Sequence, residues 1–120
     1  MKGPEYQRTQ RITEALRAFG WRHVWFRAAK TDKGYRTPLS GDKGYVDITA
    51  VHPSRGILLL CEVKSDRGKL SPEQMAWRDA LAQVEQVACA ARKIMPVRYW
   101  LCDSAASEAE LLELISGGRL

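Results

Sequence analysis

Residues 57–66 read "ILLLCEVKSD". Ile57 to Cys61 make a short apolar run of the length and composition of a buried strand. The run passes without a turn residue into Glu62, and Lys64 follows two positions later. Glutamate and lysine are among the residue types least often buried unless something pairs with them. The stretch therefore holds charges where a core would hold leucines, and that placement needs a cause.

The neighbouring segments supply one. "PSRG", residues 53–56, is a turn, and "YVDITAVH", residues 45–52, is a second strand ahead of it. Side chains alternate faces along a strand, so Glu62 and Lys64 point the same way. A tight turn centred on Ser54 and Arg55 pairs Ile57 with His52 and, five steps on, Glu62 with Asp47. Directly opposed residues share a face, with Cβ atoms roughly 4.5–5.5 Å apart. Two carboxylates that close repel each other, which costs stability or raises a pKa. A hard divalent cation with a preference for oxygen ligands, such as Mg²⁺ or Mn²⁺, removes the repulsion. The competing reading is an exposed strand end where Glu62 and Lys64 form a solvated ion pair. Asp47 opposite the glutamate weighs against it.

Farther out, Ile12, Leu16 and Phe19 recur at helical spacing within residues 5–19, and Gly20 closes that helix. "WRHVWFRA", 21–28, reads as a strand, and "AKTDKGYRTPLSGDKG", 29–44, as a long polar loop. Ser71-Pro72-Glu73-Gln74 is a helix start with Ser at N-cap, Pro at N1 and Gln at N3. Trp77, Leu81, Val84, Ala88 and Ala91 continue one face of that helix to Arg92. "PVRYWLC", 96–102, is a fourth strand, and 107–116 a last helix bearing Leu111, Leu112, Leu114 and Ile115, before a frayed GGRL tail. The order α-β-β-β-α-β-α is that of an α/β sandwich with a mixed sheet of about four strands.

At 120 residues the chain is expected to form one domain over 1–120. An apolar fraction of 45% with 28% charged residues fits a globular protein rather than a disordered one. Lys plus Arg is 19 against 14 Asp plus Glu, and the net charge of +5 suits a polyanionic partner. The polar start "MKGPEYQRTQ" has no apolar core of a signal peptide, and no run approaches the ~20 apolar residues of a membrane span. A cytoplasmic protein is expected. Cys61, Cys89 and Cys102 are odd in number and set in apolar surroundings, so they read as buried free thiols. His23 and His52 stand apart with no Cys-x-x-Cys nearby, so no zinc constellation is present.

The motif "GYVD…CEVKSDRGKLSPEQMAW" resembles the PD-(D/E)XK nuclease superfamily and, within it, the virus-type replication-repair nuclease (VRR-NUC) domain. The run "YRTPLSGDKGYVDITAV" is similar to the loop and strand of small stand-alone phage and bacterial members. The likeness covers residues 5–81. Asp-x(14)-Glu-x-Lys gains specificity from Gly68, Leu70, Ser71 and Gln74 downstream. One departure is Val46, where the family commonly has proline before the aspartate.

The resemblance implies a restriction-endonuclease-like sandwich and a Mg²⁺- or Mn²⁺-dependent deoxyribonuclease that hydrolyses phosphodiester bonds. By carry-over, Asp47 and Glu62 ligate the metal and the Val63 carbonyl adds a ligand. Lys64 orients the attacking water and stabilises charge on the phosphate. Gln74 matches a family glutamine beside the site and equally suits a capping box. The family often has an acid on the first helix. Glu5 is the candidate and Glu14 its competitor, and a favourable charge in a first helical turn explains Glu5 as well. Lys30, Lys33, Arg36 and Lys43 in the loop, with Arg67 and Lys69 beyond the strand, flank the site and read together as DNA contacts, although each alone reads as a solvated charge. Arg27 and Thr37 add phosphate contacts to that set. Small relatives resemble Holliday-junction resolvases of DNA repair and recombination and act as homodimers, which suits two symmetric cuts in a four-way junction. The alternatives are a flap or other branched-DNA nuclease, and a DNA-binding module that keeps the fold without turnover.

Overall fold

The computed structural model describes residues 3–26, 29–31, 34–36, 40–90 and 97–117, with backbone alone at 29–31, at 34–36 and at Cys89. Helix α1 spans Pro4–Ala18. Its proline lies in the first turn, where the missing N–H has no helical partner to lose. Ile12 and Leu16 are fully buried, as their spacing predicts. Gly20 follows the C-cap Phe19 with φ +82°, and this left-handed residue reverses the chain into the first strand.

Strands β1 (Arg22–Trp25), β4 (Ile48–His52), β5 (Ile57–Val63) and β6 (Val97–Cys102) form one sheet in the order β1-β4-β5-β6. The β1/β4 and β4/β5 pairs are antiparallel and β5/β6 is parallel, so the sheet is mixed. Helix α2 (Pro72–Ala90) lies in the β5 to β6 crossover that a parallel pair demands. Helix α3 (Ala105–Ser116) starts at a capping box in which the Ser104 and Ser107 side chains bond each other's backbone N–H.

The predicted α/β class and sheet size hold, and the differences are local. The 29–44 segment, expected as loop throughout, contains a small antiparallel hairpin, β2 (Ala29–Thr31) with β3 (Gly34–Arg36). Strands β1 and β4 are shorter than the runs 21–28 and 45–52. The β4 ladder begins at Ile48, which leaves Asp47 just outside it. Cys61 and Cys102 are buried free thiols, whereas the Cys89 side chain, Ala91 and the tail 118–120 lie outside the described residues.

The two sheet faces are packed unequally. Alternate residues of β5, namely Ile57, Leu59, Cys61 and Val63, join Ile12, Leu16, Trp21, Leu111 and Ile115 in the main core beneath α1 and α3. The opposite face carries Leu58, Leu60 and Glu62 under α2. There the buried cluster is Val46, Leu60 and Val97, edged by Tyr45, Leu58, Leu81 and Tyr99. Helix α2 is less buried than its apolar stripe predicts: Val84 is 46% exposed. The charged end of β5 thus sits on the thinly covered face.

Candidate functional site

The register of the hairpin is the one its turn predicts. His52 pairs with Ile57 and Ile48 with Cys61, so the next positions along are Asp47 and Glu62. The ladder ends there for a definite reason. Lys64 N–H points to β6 and bonds the Cys102 carbonyl at 2.9 Å. Val63 N–H, one residue earlier, points the other way, and Asp47 Oδ2 accepts it at 2.8 Å. The Asp47 side chain takes the place of a ladder carbonyl. The Val63 carbonyl shares that side of the strand with its own N–H, and so faces the Asp47 side.

Glu62 is 1% exposed. Burial first, then the charge of Asp47 and a hydrogen bond between the two carboxyl groups, raise its pKa to about 9, while Lys64 pulls it down. A hydrogen bond between two carboxyl groups requires a proton on one of them. Burial and the neighbouring Asp47 charge both favour the protonated form of Glu62. Tyr99, on β6 beside Leu60, has a buried hydroxyl with no hydrogen-bond partner among the described residues, and burial followed by the Glu62 charge pushes its pKa up to about 12.

Gln74 makes bonds on two sides. Its Oε1 accepts from Ser71 N–H at 2.8 Å while its own N–H donates to Ser71 Oγ at 3.1 Å, completing the capping box. Its Nε2 then donates to Glu62 Oε1 at 2.9 Å. The start of α2 is pressed against the loop that leads to Asp47. Gly44 has φ +91°, and a Cβ there would lie 2.5 Å from the Glu73 carbonyl carbon and 2.7 Å from Gln74 N. Only glycine allows that approach. Tyr45 pins the same junction, stacking edge-on against Trp77 at 5.0 Å and Phe26 at 5.8 Å, and its hydroxyl meets Thr49 Oγ1 at 2.7 Å.

Glu5, on α1, comes to the same place. Partial burial raises its pKa, Lys64 lowers it, Asp47 raises it, and a hydrogen bond from the Ser65 backbone lowers it. Those neighbours put Glu5, rather than Glu14, at the end of β5. Lys64 is half-buried on the Glu62 face of the strand. The structure thus brings Asp47, Glu62, Lys64, Gln74 and Glu5 together.

The basic residues are less fully placed. Lys43, Arg67 and Lys69 are exposed. Lys43 lines an open groove of about 320 Å³ with Asp42, Glu73, Ala76, Trp77 and Ala80, a set that includes neither Asp47 nor Glu62. Lys30 and Arg36 stand on β2 and β3, with backbone alone described. Arg27, Lys33 and Thr37 lie outside the described residues.

Sequence reasoning misses a second charged cluster. Arg8 is 7% exposed and Glu108 8% exposed. Arg8 Nε donates to Glu108 Oε1 at 2.8 Å, and Arg11 donates to both Glu108 oxygens at 2.6 and 2.8 Å. Arg8 also bonds the Lys64 carbonyl and Asp66 Oδ1. Arg11 and Arg8 together hold the Glu108 carboxyl down at about 2 against the opposing cost of burial. A signal was available: Arg8 lies four residues before Ile12, on the buried face of α1, where a charge demands a partner.

Among the described residues, no three His, Cys, Asp or Glu side chains form a group that could hold a metal ion. What is present is smaller: two carboxyl groups at facing positions, one buried without an ion pair among the described residues, and a backbone carbonyl on the same side. That set fits Mg²⁺ or Mn²⁺. Magnesium is commonly held by one or two carboxylates and completes its shell with water and phosphate. It does not fit zinc, which takes cysteine and histidine in a closed tetrahedron.

No protein-family model matches the chain, and no curated protein matches it either.

Proposed function

We propose that the chain is a metal-dependent, structure-specific DNA endonuclease, of the PD-(D/E)XK type and akin to the VRR-NUC domain, that cuts branched DNA such as a four-way junction. The observation that carries this reading is the Asp47–Glu62 pair, two acids at facing positions at the end of a hairpin, one of them buried, with Lys64 on the same face. A fold gains nothing from a buried acid pair without a cation, whereas a phosphodiesterase needs one. Asp47, Glu62 and the Val63 carbonyl would hold Mg²⁺ or Mn²⁺, which when bound lowers the pKa of water and offsets charge on the phosphate.

The remaining work belongs to the chain's own residues. Gln74 fixes the Glu62 carboxylate from the α2 side, so one oxygen is held and the other is left for a ligand. Lys64 has no lone pair to give a metal when protonated, so its ammonium serves the phosphate or the attacking water. Glu5 adds a third acid within reach of Lys64, at the rim. Lys43, Arg67 and Lys69 supply phosphate contacts that carry no base information. A homodimer would present two such sites to a symmetric junction. The described residues contain no helix long and apolar enough to cross a membrane.

Labelled duplex, flap and four-way junction, each incubated with and without Mg²⁺ or Mn²⁺, test the proposal. Cleavage of branched DNA that requires the metal and is lost in Asp47→Ala is expected. Cleavage of flaps in preference to junctions would shift the substrate. Salt-sensitive binding with no cleavage under either metal would leave a DNA-binding module. Binding should weaken with salt at a slope near −0.9 per phosphate contact on a log–log plot, so a flat response would count against a phosphate-led interface.

A further inference from the structure

The geometry points to Arg8 as the positioning residue for Lys64, an inference that rests on the nuclease reading of the same site. Past Val63 the chain leaves the sheet. Lys64 N–H makes the last bond to β6, at 2.9 Å to Cys102. From there a side chain of α1 holds the segment. Arg8 Nη1 donates to the Lys64 carbonyl at 2.5 Å, and Arg8 Nη2 donates to Asp66 Oδ1 at 2.8 Å. Both backbone polar groups of Lys64 are therefore tied, one to β6 and one to Arg8.

The arginine is itself held from behind. Its Nε bonds Glu108 Oε1 at 2.8 Å, and Arg11 grips the same carboxylate. Its planar fork thus spans α3 on one side and residues 64–66 on the other. A buried ion pair is a poor source of stability, since apolar packing of the same volume usually does as well or better. What a guanidinium offers over a leucine is direction, with several donors in a fixed plane. Here that plane is aimed at the backbone of the residue whose ammonium must reach the phosphate. Gly68 completes the arrangement. Its N–H bonds the Ser65 carbonyl at 3.0 Å, and a Cβ on it would lie 3.1 Å from Lys64 Cβ and 3.3 Å from Lys64 Cδ. The lysine stem lies across the turn that Arg8 steadies.

The test uses the full chain and three variants. Arg8→Gln removes the fork. Arg8→Gln with Glu108→Gln removes both charges, so that neither is stranded in the interior if the single change fails to fold. Asp66→Ala cuts one bond at a side chain that is 73% exposed and leaves the interior untouched. Single-turnover cleavage of branched DNA with Mn²⁺, DNA affinity, and amide hydrogen exchange are measured for each. The Arg8 variants should cleave about 10- to 100-fold more slowly, the loss that follows small misplacement of a reacting group. DNA affinity should stay within about twofold, because the phosphate contacts lie elsewhere. Amides of residues 65–68 should exchange faster while those of the β4/β5 ladder do not, and Asp66→Ala should show the same pattern weakly. On a Lys64→Ala background the Arg8 changes should cost no further rate, since residues acting as one unit are non-additive. A merely structural Arg8 would lower thermal stability and leave the rate of the folded variant alone. An unchanged rate, or an equal further loss without Lys64, overturns the assignment. If the wild-type chain cuts no DNA, the nuclease reading fails by itself. Exchange at 65–68 then decides the clamp, and unchanged protection there overturns it.

Discussion

Glu62 and Glu108 are both buried glutamates, and their surroundings drive them in opposite directions. Glu108 is clasped by Arg8 and Arg11, which hold its pKa at about 2. Glu62 faces another carboxyl group and a glutamine, and its pKa stands at about 9. Burial raises both; the partners decide the sign. Glu108 is a finished ion pair that ties α1 to α3. Glu62 has a glutamine donor but no cationic side chain in an ion pair with it among the described residues. Buried acids that are satisfied belong to the fold, and a buried acid that is not satisfied points to chemistry.

Substitution at each glutamate should separate the two most sharply. Glu62→Gln and Asp47→Ala should reduce metal-dependent cleavage more than about 10³-fold, with DNA binding kept within a few-fold. Lys64→Ala should lose about 10² to 10³ in single-turnover rate, the scale of one missing charge-stabilising donor. Full cleavage by Asp47→Ala, freed of contaminating nuclease, would remove the acid pair as the reacting site and erase the contrast. Glu62→Gln should also raise the melting temperature of the metal-free protein at pH 8, because it removes a carboxyl group that must otherwise stay protonated there.

Glu108→Ala should do the reverse. It leaves the buried Arg8 with the exposed Asp66 as its remaining ionic partner, and breaking a buried pair from one side costs up to about 3–5 kcal/mol. Urea unfolding would measure the loss as a lower midpoint at unchanged slope. A loss under about 1 kcal/mol would mean that Glu108 is no more important than a surface ion pair.

The pH dependence of stability should show both groups at once. The folded pKa of Glu62 lies above its ordinary 4.5, so its stabilising contribution is complete below that value and is lost as pH rises toward about 9. The folded pKa of Glu108 lies below 4.5, so its contribution is complete above that value and is lost as pH falls toward about 2. The metal-free protein should thus be most stable near pH 5 and weaken on either side. Glu62→Gln should flatten the alkaline side alone, and Glu108→Gln the acid side alone. Thermal melts from pH 3 to 9 would check this, and an alkaline slope unchanged by Glu62→Gln would contradict it.

The smallest effect tests whether Lys64 counts as a partner of Glu62. Lys64→Ala should tighten Mn²⁺ binding by no more than a few-fold, since a nearby positive charge disfavours a cation without ligating it. Calorimetric titration would show this. A collapse of metal affinity in a folded Lys64→Ala protein would reassign the lysine from the phosphate to the shape of the metal site.

The local parts of this arrangement were legible in the sequence because they depend on near neighbours. The turn at 53–56 sets the hairpin register, strand alternation puts Glu62 and Lys64 on one face, and Ser71 to Gln74 announce a capped helix. Each involves residues a few positions apart along one backbone. The β2/β3 hairpin escaped notice because its strands are only three residues each and carry no alternating apolar pattern. The exposure of Val84 on helix α2 has a related cause: periodicity reports which face is apolar, not how much of it finds a cover. Three features were decided only by tertiary structure. Glu5 rather than Glu14 reaches the end of β5, Gly44 lets the loop touch the start of α2, and Arg8 joins Glu108 to the Lys64 backbone across 100 and 56 positions of chain. Local rules determine where a side chain points along its own element. Which distant charge it meets depends on how the elements pack, and the charge of a buried acid depends on that meeting.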